Sequence, residues 1–443
     1  MDKKAAFLTL GCKVNQYETN AMTEILESRG YTIVDFKEEA DVYVINTCSV
    51  TNIADRKSRQ MIHRARKKNP EAVVVAAGCY IQSGENDLLE QGTADILIGN
   101  NKKKDIADIL DRYFREKEKI CELTDLGRGA EYEPLFVTRV NDHTRAYLKI
   151  QDGCNQFCSY CIIPYTRGRI RSRQPGDILR EVRQLADKGY LEIVLTGIHL
   201  SSYGKDLGTT DLLTLIGQLN EVEGIRRIRL GSLEPRIITE SFVKSLKDCE
   251  KVCPHFHLSL QSGCDETLKR MNRKYDTREY LEAVRLLRRY YDEPALTTDI
   301  IVGFAGETDE EFDRTAAYLE EINLYEMHVF KFSVRKGTRA EKMPGQVDDK
   351  TKARRSDILL DMVKRHKAAF ESSRIGRKES VLLEEEVIRD GKRYMQGYTE
   401  RYMRVLVPME DTSLSLKSNQ IIDAIIKQSL DGQGMLGKVS IEF

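Results

Sequence analysis

Between residues 144 and 332 a short apolar run followed by a helical stretch recurs six times, and this repetition limits the possible folds more than any other feature of the 443-residue chain. The apolar runs fall at residues 146–151, 193–196, 227–231, 255–260, 297–302 and 326–332, and helical stretches begin near Pro175, Asp211, Glu240, Thr277 and Asp309. Strands separated by helices pair in parallel through right-handed crossovers. Six units are two short of the closed eight-stranded barrel. The expected form is therefore an open, partial (β/α)6 barrel across residues 140–370. Reactive groups in such barrels belong on the loops that follow the strands.

The loop after the first barrel strand reads GCNQFCSYC, residues 153–161, and places Cys154, Cys158 and Cys161 in a C-x3-C-x2-C spacing. Three thiolates this close in sequence can converge on one inorganic centre. Iron–sulfur cubanes normally take four cysteines, so a set of three leaves one iron with an open position, as catalytic zinc sites leave their fourth. Zinc is the alternative occupant, but the spacing fits no common zinc knuckle. The loops after the next four strands read LTGIH, GSLEP, QSG and GFAGET. Their small and polar residues let backbone groups approach a ligand closely.

The first 130 residues read as a doubly wound α/β domain. AFLTLGC, DVYVINTC and AVVVAAGC are continuous apolar runs of the kind found in parallel sheets covered on both faces, and ADILIG is a fourth. Cys12, Cys48 and Cys79 each end one of the first three runs. The C-terminal ends of parallel strands form one edge where ligands collect, so three distant thiols are expected to meet there. Cysteine is also a common small buried residue, and Cys121, outside this pattern, is read that way. So are Cys249 and Cys253 before strand four of the barrel, while Cys264 has no partner on its rim. The helix after Cys48 carries a basic run from Arg56 to Lys68 that fits either a solvated face or a phosphate-binding one.

Lys plus Arg and Asp plus Glu are 70 each, so net charge predicts no bulk attraction to nucleic acid or membrane. No apolar run approaches the roughly 18–20 residues of a membrane helix. Ten cysteines without a secretion signal point to the reducing cytoplasm, where they serve metals more often than disulfides. After the charged stretch 350–370 the pattern changes to five short strands within residues 374–443, expected at 380–387, 393–399, 403–407, 420–427 and 437–443. A small closed β-barrel is expected there.

Together these motifs resemble the radical S-adenosylmethionine (SAM) methylthiotransferases. The resemblance rests on GCKVNQYE, INTCSV, AAGCY, GCNQFCSYCIIPYTRGRIRSR and SLQSG, and GCKVNQ and LGSLEP are most similar to the tRNA threonylcarbamoyladenosine branch. It implies two 4Fe-4S clusters and SAM as cofactors. Cys154, Cys158 and Cys161 would hold the cluster whose open iron binds SAM and delivers the electron that cleaves it. Cys12, Cys48 and Cys79 would hold a second cluster that carries the sulfur, and another SAM would give the methyl group. Thr196, Gly197, Gln261, Ile301, Gly303 and Gly306 are, by rim position, the implied SAM contacts. The family usually has proline where this chain has Ala305, so a less restrained loop is expected. Arg167, Arg169, Arg171 and Arg173 would serve either local salt bridges or tRNA phosphates. The β-barrel resembles the RNA-binding TRAM domain in size and place, with Arg389, Lys392, Arg393, Arg401 and Arg404 as phosphate candidates. The implied partners are tRNA, a reducing electron-donor protein and an unspecified sulfur source. Isopentenyladenosine tRNA or a ribosomal-protein aspartate are the other acceptors in the family, and a non-enzymatic iron–sulfur RNA-binding regulator is the reading from another class.

Overall fold

Strands rich in Val, Ile and Ala with no polar face need cover on both sides, and the computed structural model of the chain shows how it is supplied. The structure describes all residues except 1–2, 85–86, 128, 140–143, 411–414, 431, 433 and 441–443. β1 (Lys4–Thr9), β2 (Thr32–Val34), β3 (Val42–Thr47), β4 (Val73–Gly78), β5 (Ile96–Ile98) and β6 (Ile120–Glu122) form one sheet in the order β2-β1-β3-β4-β5-β6. All its pairings are parallel. Every residue of β3 and β4 is buried. Alternate residues feed opposite cores: Tyr43, Ile45, Val74 and Ala76 pack with Ile62 and Ala65 of α2 (Asn52–Lys68), and Val42, Val44, Val73 and Val75 pack with Met22 and Leu26 of α1 (Lys13–Ser28). β2 and β6 were outside the sequence expectation, because strands of three residues are too short to show a period. Cys121, read as structural, lies in β6 with its side chain exposed.

The second unit follows its expected strands closely. β7 (Arg145–Asp152), β9 (Glu192–Gly197), β10 (Arg227–Leu230), β12 (His255–Leu258), β13 (Ala295–Val302) and β14 (Glu326–Lys331) run parallel, with β8 (Arg171–Ser172) antiparallel on β7. The curved sheet breaks at Gly231: β10 pairs back to β9, and the chain then moves over as β11 (Ser232–Leu233) to pair with β12. A hydrogen-bond ladder that stops and restarts on the next strand is what lets six strands bend into an open barrel without closing.

Period-two alternation sorts these strands into an apolar outer face and a polar inner one. Leu148 and Ile150 of β7, Ile228 and Leu230 of β10, Phe256 and Leu258 of β12, and Leu296 and Ile300 of β13 share one core with the surrounding helices. Their alternates are Lys149 and Gln151, Arg227 and Arg229, His255 and His257, and Thr297 and Asp299. The concave face of the barrel is thus lined by charge and hydrogen-bonding groups.

The long helix Asp349–Ser373 leads to a closed barrel of β15 (Lys378–Arg389), β16 (Lys392–Thr399), β17 (Arg404–Pro408), β18 (Gln420–Ser429) and β19 (Met435–Val439), ordered β15-β16-β17-β19-β18. The end of the expected fifth strand, residues 441–443, lies outside the described residues. This small barrel docks on the N-terminal end of the larger one. Arg227 donates to the Ser380 carbonyl at 2.7 Å and the Tyr398 carbonyl at 3.2 Å, and Arg229 donates to the Glu400 carbonyl at 2.9 Å. The Tyr402 ring sits against the guanidinium groups of Arg145, at 4.9 Å, and Arg229, at 4.6 Å. Arg401, expected as a phosphate contact, is instead spent on docking: it donates to the carbonyls of Glu293 and Asp292 at 2.9 and 2.8 Å.

Arg229 is fully buried beside Glu192, which it holds at 2.9 Å, so removing its charge strands a buried carboxylate. Arg229→Ala is expected to destabilise the protein toward the low end of about 3–5 kcal/mol, since Arg227 remains 3.6 Å from Glu192. Urea unfolding of the variant, with Arg229→Lys as partial rescue, measures it.

Candidate functional site

The strand order puts β1 beside β3 and β3 beside β4, so the three turns that carry Cys12, Cys48 and Cys79 share one edge. Gly11 is what allows the closest approach. It has φ +99°, and a Cβ placed there would stand 2.8 Å from both Cβ and Sγ of Cys48. Cys79 opens a single helical turn, Cys79–Gln82, at the end of β4. Burial, reinforced by the neighbouring thiols of Cys79 and Cys12, pushes the Cys48 thiol up to about 12. Burial likewise raises Cys12.

The other trio lies in a loop that doubles back on itself. Gly153, at φ +69°, passes so near the Arg169 carbonyl that an added Cβ would meet its oxygen at 1.9 Å. The Cys154 N–H bonds the Gly168 carbonyl at 3.0 Å, and the Cys161 N–H closes a turn on the Cys158 carbonyl at 3.0 Å. Ser159 ties the loop to the barrel: its N–H bonds the Met271 carbonyl at 3.0 Å, and its own carbonyl accepts from Ala340 N–H at 2.8 Å. Burial pushes the Cys154 thiol up to about 11 and the Cys161 thiol up to about 12, with the other thiols of the loop adding to both.

All six cysteines are free thiols. Thiolates gathered in this way repel one another, so a set of them is stable only around a positive centre. Among the described residues, donor atoms packed within 4.8 Å of one another, as a single ion needs, are met by His257, Asp299 and His328 and by neither cysteine trio. A cubane takes one thiolate per iron corner, a wider arrangement than a single ion needs.

Each trio is faced by one arginine, and sequence reasoning did not find either contact. Arg273 donates from Nη1 to Cys158 Sγ at 3.1 Å. Arg167 donates from Nε to Cys79 Sγ at 3.3 Å. The same Arg167 guanidinium bonds Asn15 Oδ1 at 2.6 Å, Glu18 Oε1 at 2.9 Å and Asp152 at 3.1 Å. Lys149 joins Glu18 and Asp152 at 2.7 and 2.6 Å, and Lys103 also pairs with Glu18. Three of the four alternating arginines are therefore resolved as structural: Arg167, Arg171 and Arg173 are buried and Arg173 pairs with Glu181 at 2.6 Å, while the partly exposed Arg169 lies over the Phe157 ring at 4.5 Å. Three of the four cannot reach a phosphate. No sequence signal links Arg167 to Glu18, 149 positions away. The N-x-x-E spacing of Asn15 and Glu18 on one face of α1 is the only trace.

The rim residues expected to contact SAM fall where the strands end. Thr196 and Gly197 close β9, and Ile301 lies near the end of β13. Gln261 bridges the two neighbouring strands, its N–H on the Asp299 carbonyl and its carbonyl on the Ile301 N–H, both at 2.9 Å. It does so at φ +75°, a costly conformation for a side chain of that size. The N–H groups of Gly303 and Gly306 are already committed, to Glu307 at 2.6 Å and to the Gly345 carbonyl at 2.7 Å. Ala305 is buried and its carbonyl accepts from Arg270 at 3.2 Å, so packing restrains this loop where proline is missing. Gln156, Glu234 and His199 form a chain across the rim, with 3.1 Å from Gln156 to Glu234 and 3.3 Å from His199 to Glu234. Cys264 donates to Glu266 at 3.0 Å, apart from both trios. A cavity of about 820 Å³ lined by Arg145, Tyr147, Lys188, Glu384 and Tyr398 lies at the far end of the strands and holds no thiol.

The buried network yields two expectations. Burial alone would raise the carboxyls of Glu18 and Asp152, but Arg167 and Lys149 hold both below the usual range. Their contribution to stability is therefore full above about pH 4, the unfolded carboxylate range, and is lost as pH falls through the depressed folded values. Urea midpoints recorded from pH 7 downward should drop below about pH 4, and less steeply in Glu18→Gln. Arg167→Leu removes one partner of these carboxylates while Lys149 and Lys103 remain, and is expected to cost toward the low end of about 3–5 kcal/mol in the same measurement.

Comparison with known proteins agrees with this geometry. Residues 148–319 match the radical SAM superfamily and residues 4–99 match the uncharacterized protein family UPF0004. The chain is 40% identical over 408 residues to the threonylcarbamoyladenosine tRNA methylthiotransferase MtaB of Bacillus subtilis strain 168, covering 90% of this chain and 89% of that protein. It is 37% identical over 390 residues to the tRNA-2-methylthio-N(6)-dimethylallyladenosine synthase of Alkaliphilus oremlandii strain OhILAs, covering 86% and 82%. In fold it is similar to the radical SAM methyltransferase TsrM of Kitasatospora setae, with TM-score 0.55, 15% identity and 75% of each chain covered. No helix among the described residues is long and apolar enough to cross a membrane. The chain belongs to the radical SAM tRNA methylthiotransferases, enzymes that use iron–sulfur clusters and SAM.

Proposed function

We propose that this enzyme places a methylthio group on carbon 2 of threonylcarbamoyladenosine beside the tRNA anticodon, with SAM serving both as radical source and as methyl donor. The observation that carries this reading is Arg167, which follows Cys154, Cys158 and Cys161 by a few residues and reaches Cys79 of the early trio at 3.3 Å. Two three-thiol sites on separate edges, linked through Arg167, suit a reaction that needs both a radical and a transferable sulfur. The adenine C–H has no acidic proton and no leaving group, so a hydrogen atom must be removed before sulfur can attach. Two 4Fe-4S clusters, held by Cys154, Cys158 and Cys161 and by Cys12, Cys48 and Cys79, would supply the electron that cleaves SAM and the sulfur that is transferred.

The chain's own groups do the remaining work. Arg273 and Arg167 each donate a hydrogen bond to one sulfur, one in each trio, and so fix its position. Thr196, Gly197, Gln261, Ile301, Gly303 and Gly306 form the rim where SAM is to lie. We assign residues 1–130 to sulfur delivery, 140–370 to radical generation and 374–443 to RNA binding. The docked small barrel covers the N-terminal end of the strands, which leaves the cysteine rim for the nucleotide. Exposed Arg56, Lys57, Arg64, Lys67 and Lys68 of α2, with Arg389, Lys392 and Arg404 of the small barrel, supply local positive charge for tRNA phosphates on a chain of zero net charge. The protein acts in the cytoplasm, with an electron-donor protein as partner.

A second acceptor, dimethylallyladenosine in tRNA, is supported by relatives of that name at 37% and 34% identity. Mass spectrometry of tRNA nucleosides from a deletion strain separates the two. The expected result is loss of the 2-methylthio derivative of threonylcarbamoyladenosine, restored by the wild-type gene and not by Cys12→Ala or Cys154→Ala. Loss of the dimethylallyl mark alone favours the second acceptor, and full modification in either variant refutes both. Anaerobically reconstituted protein should hold about eight irons per chain and each variant about four.

A further inference from the structure

One cluster of metal-ligating side chains is used by nothing described so far. His257 on β12, Asp299 on β13 and His328 on β14 occupy neighbouring strands and point to the polar, concave face. Asp299 and His328 are direct register partners, and His257 pairs with Thr297, one inward position before Asp299. We infer that these three residues form a divalent transition-metal site inside the barrel, separate from both cysteine trios.

The geometry supports an ion more than a salt bridge. His257 Nε2 and Asp299 Oδ2 are 3.4 Å apart, beyond an ordinary hydrogen bond. Two donors each about 2.1 Å from one ion at a tetrahedral angle stand about 3.4 Å apart. His257 Nδ1 is engaged by Thr297 Oγ1 at 3.0 Å. Imidazole ligands are characteristically oriented in this way, one nitrogen held by a protein oxygen and the other left for the metal. The His328 ring stacks on His257 with centroids 5.9 Å apart, and all three donor atoms lie within 4.8 Å. His328 is exposed, so its side chain has room to close the remaining gap. Two imidazoles and one carboxylate suit zinc, iron(II) or manganese, and a three-residue set leaves positions for water or an oxygen donor from whatever fills the barrel. The site stands independently of the methylthiotransferase reading.

The test uses cluster-loaded holoenzyme, incubated anaerobically with zinc chloride, desalted and assayed for zinc by mass spectrometry. Wild type is expected to retain about one zinc per chain, bound through nitrogen and oxygen alone at about 2.0–2.1 Å by X-ray absorption. His257→Ala, Asp299→Asn and His328→Gln should each abolish retention, and Thr297→Val should weaken binding by about 10–100-fold. Iron and sulfide content of every variant reports folding, and His328→Gln, at an exposed position, decides the matter if the others misfold. No retained zinc, zinc bound through sulfur at about 2.3 Å, or equal zinc in wild type and His328→Gln would overturn the proposal. The readout requires no turnover of SAM or tRNA, so it fails or stands apart from the proposed reaction.

Discussion

The Arg167 guanidinium sits where three separately encoded parts of the chain meet: Asn15 and Glu18 of α1, Asp152 at the end of β7, and the Cys79 thiol at the end of β4. It is fully buried, and a buried guanidinium is costly unless its charge is compensated by partners. Here the partners come from the N-terminal sheet and from the barrel at once. Neither unit can satisfy the group alone, so the two cysteine-bearing edges are held together by the same requirement that keeps the charge from being stranded. Lys103, Lys149 and Arg171 share the two carboxylates with it, which leaves the pocket with more positive than negative side chains.

The barrel depends on a second division of labour. Its outer face is a continuous hydrocarbon core with the helices, and its inner face is kept largely polar by the alternation of its strands. A closed eight-stranded barrel would fill such an interior with its own side chains. Six strands cannot, so the charges must find other partners. At one end Arg227, Arg229 and Glu192 find them in each other and in the backbone of the small barrel. At the other, Arg273 and the His199–Glu234 pair face the cysteine loop.

The sequence was a good guide to whatever depends on local pattern. Barrel strands and helix starts fell within a residue or two of their expected places, because each strand is a short apolar run followed by a capped helix: Thr308 and Asp276 both close full capping boxes. The convergence of Cys12, Cys48 and Cys79 was legible because strand ends in a parallel sheet are forced to one edge. What could not be read was pairing across distance. Arg167, Arg171 and Arg173 look like a basic stripe until Glu18, Asp152 and Glu181 are brought to them. Arg401 looked free for phosphate until the loop at Glu293 reached it. Charge in a sequence announces a cost, and only the fold shows which group offsets it.

The seating of Tyr402 between Arg145 and Arg229 carries a mechanical meaning. Because the turn bearing that ring is seated in the base of the larger barrel, the small barrel is fastened there by contacts of its own and not by the chain connection at residues 374–377 alone, like a bracket fixed at two points.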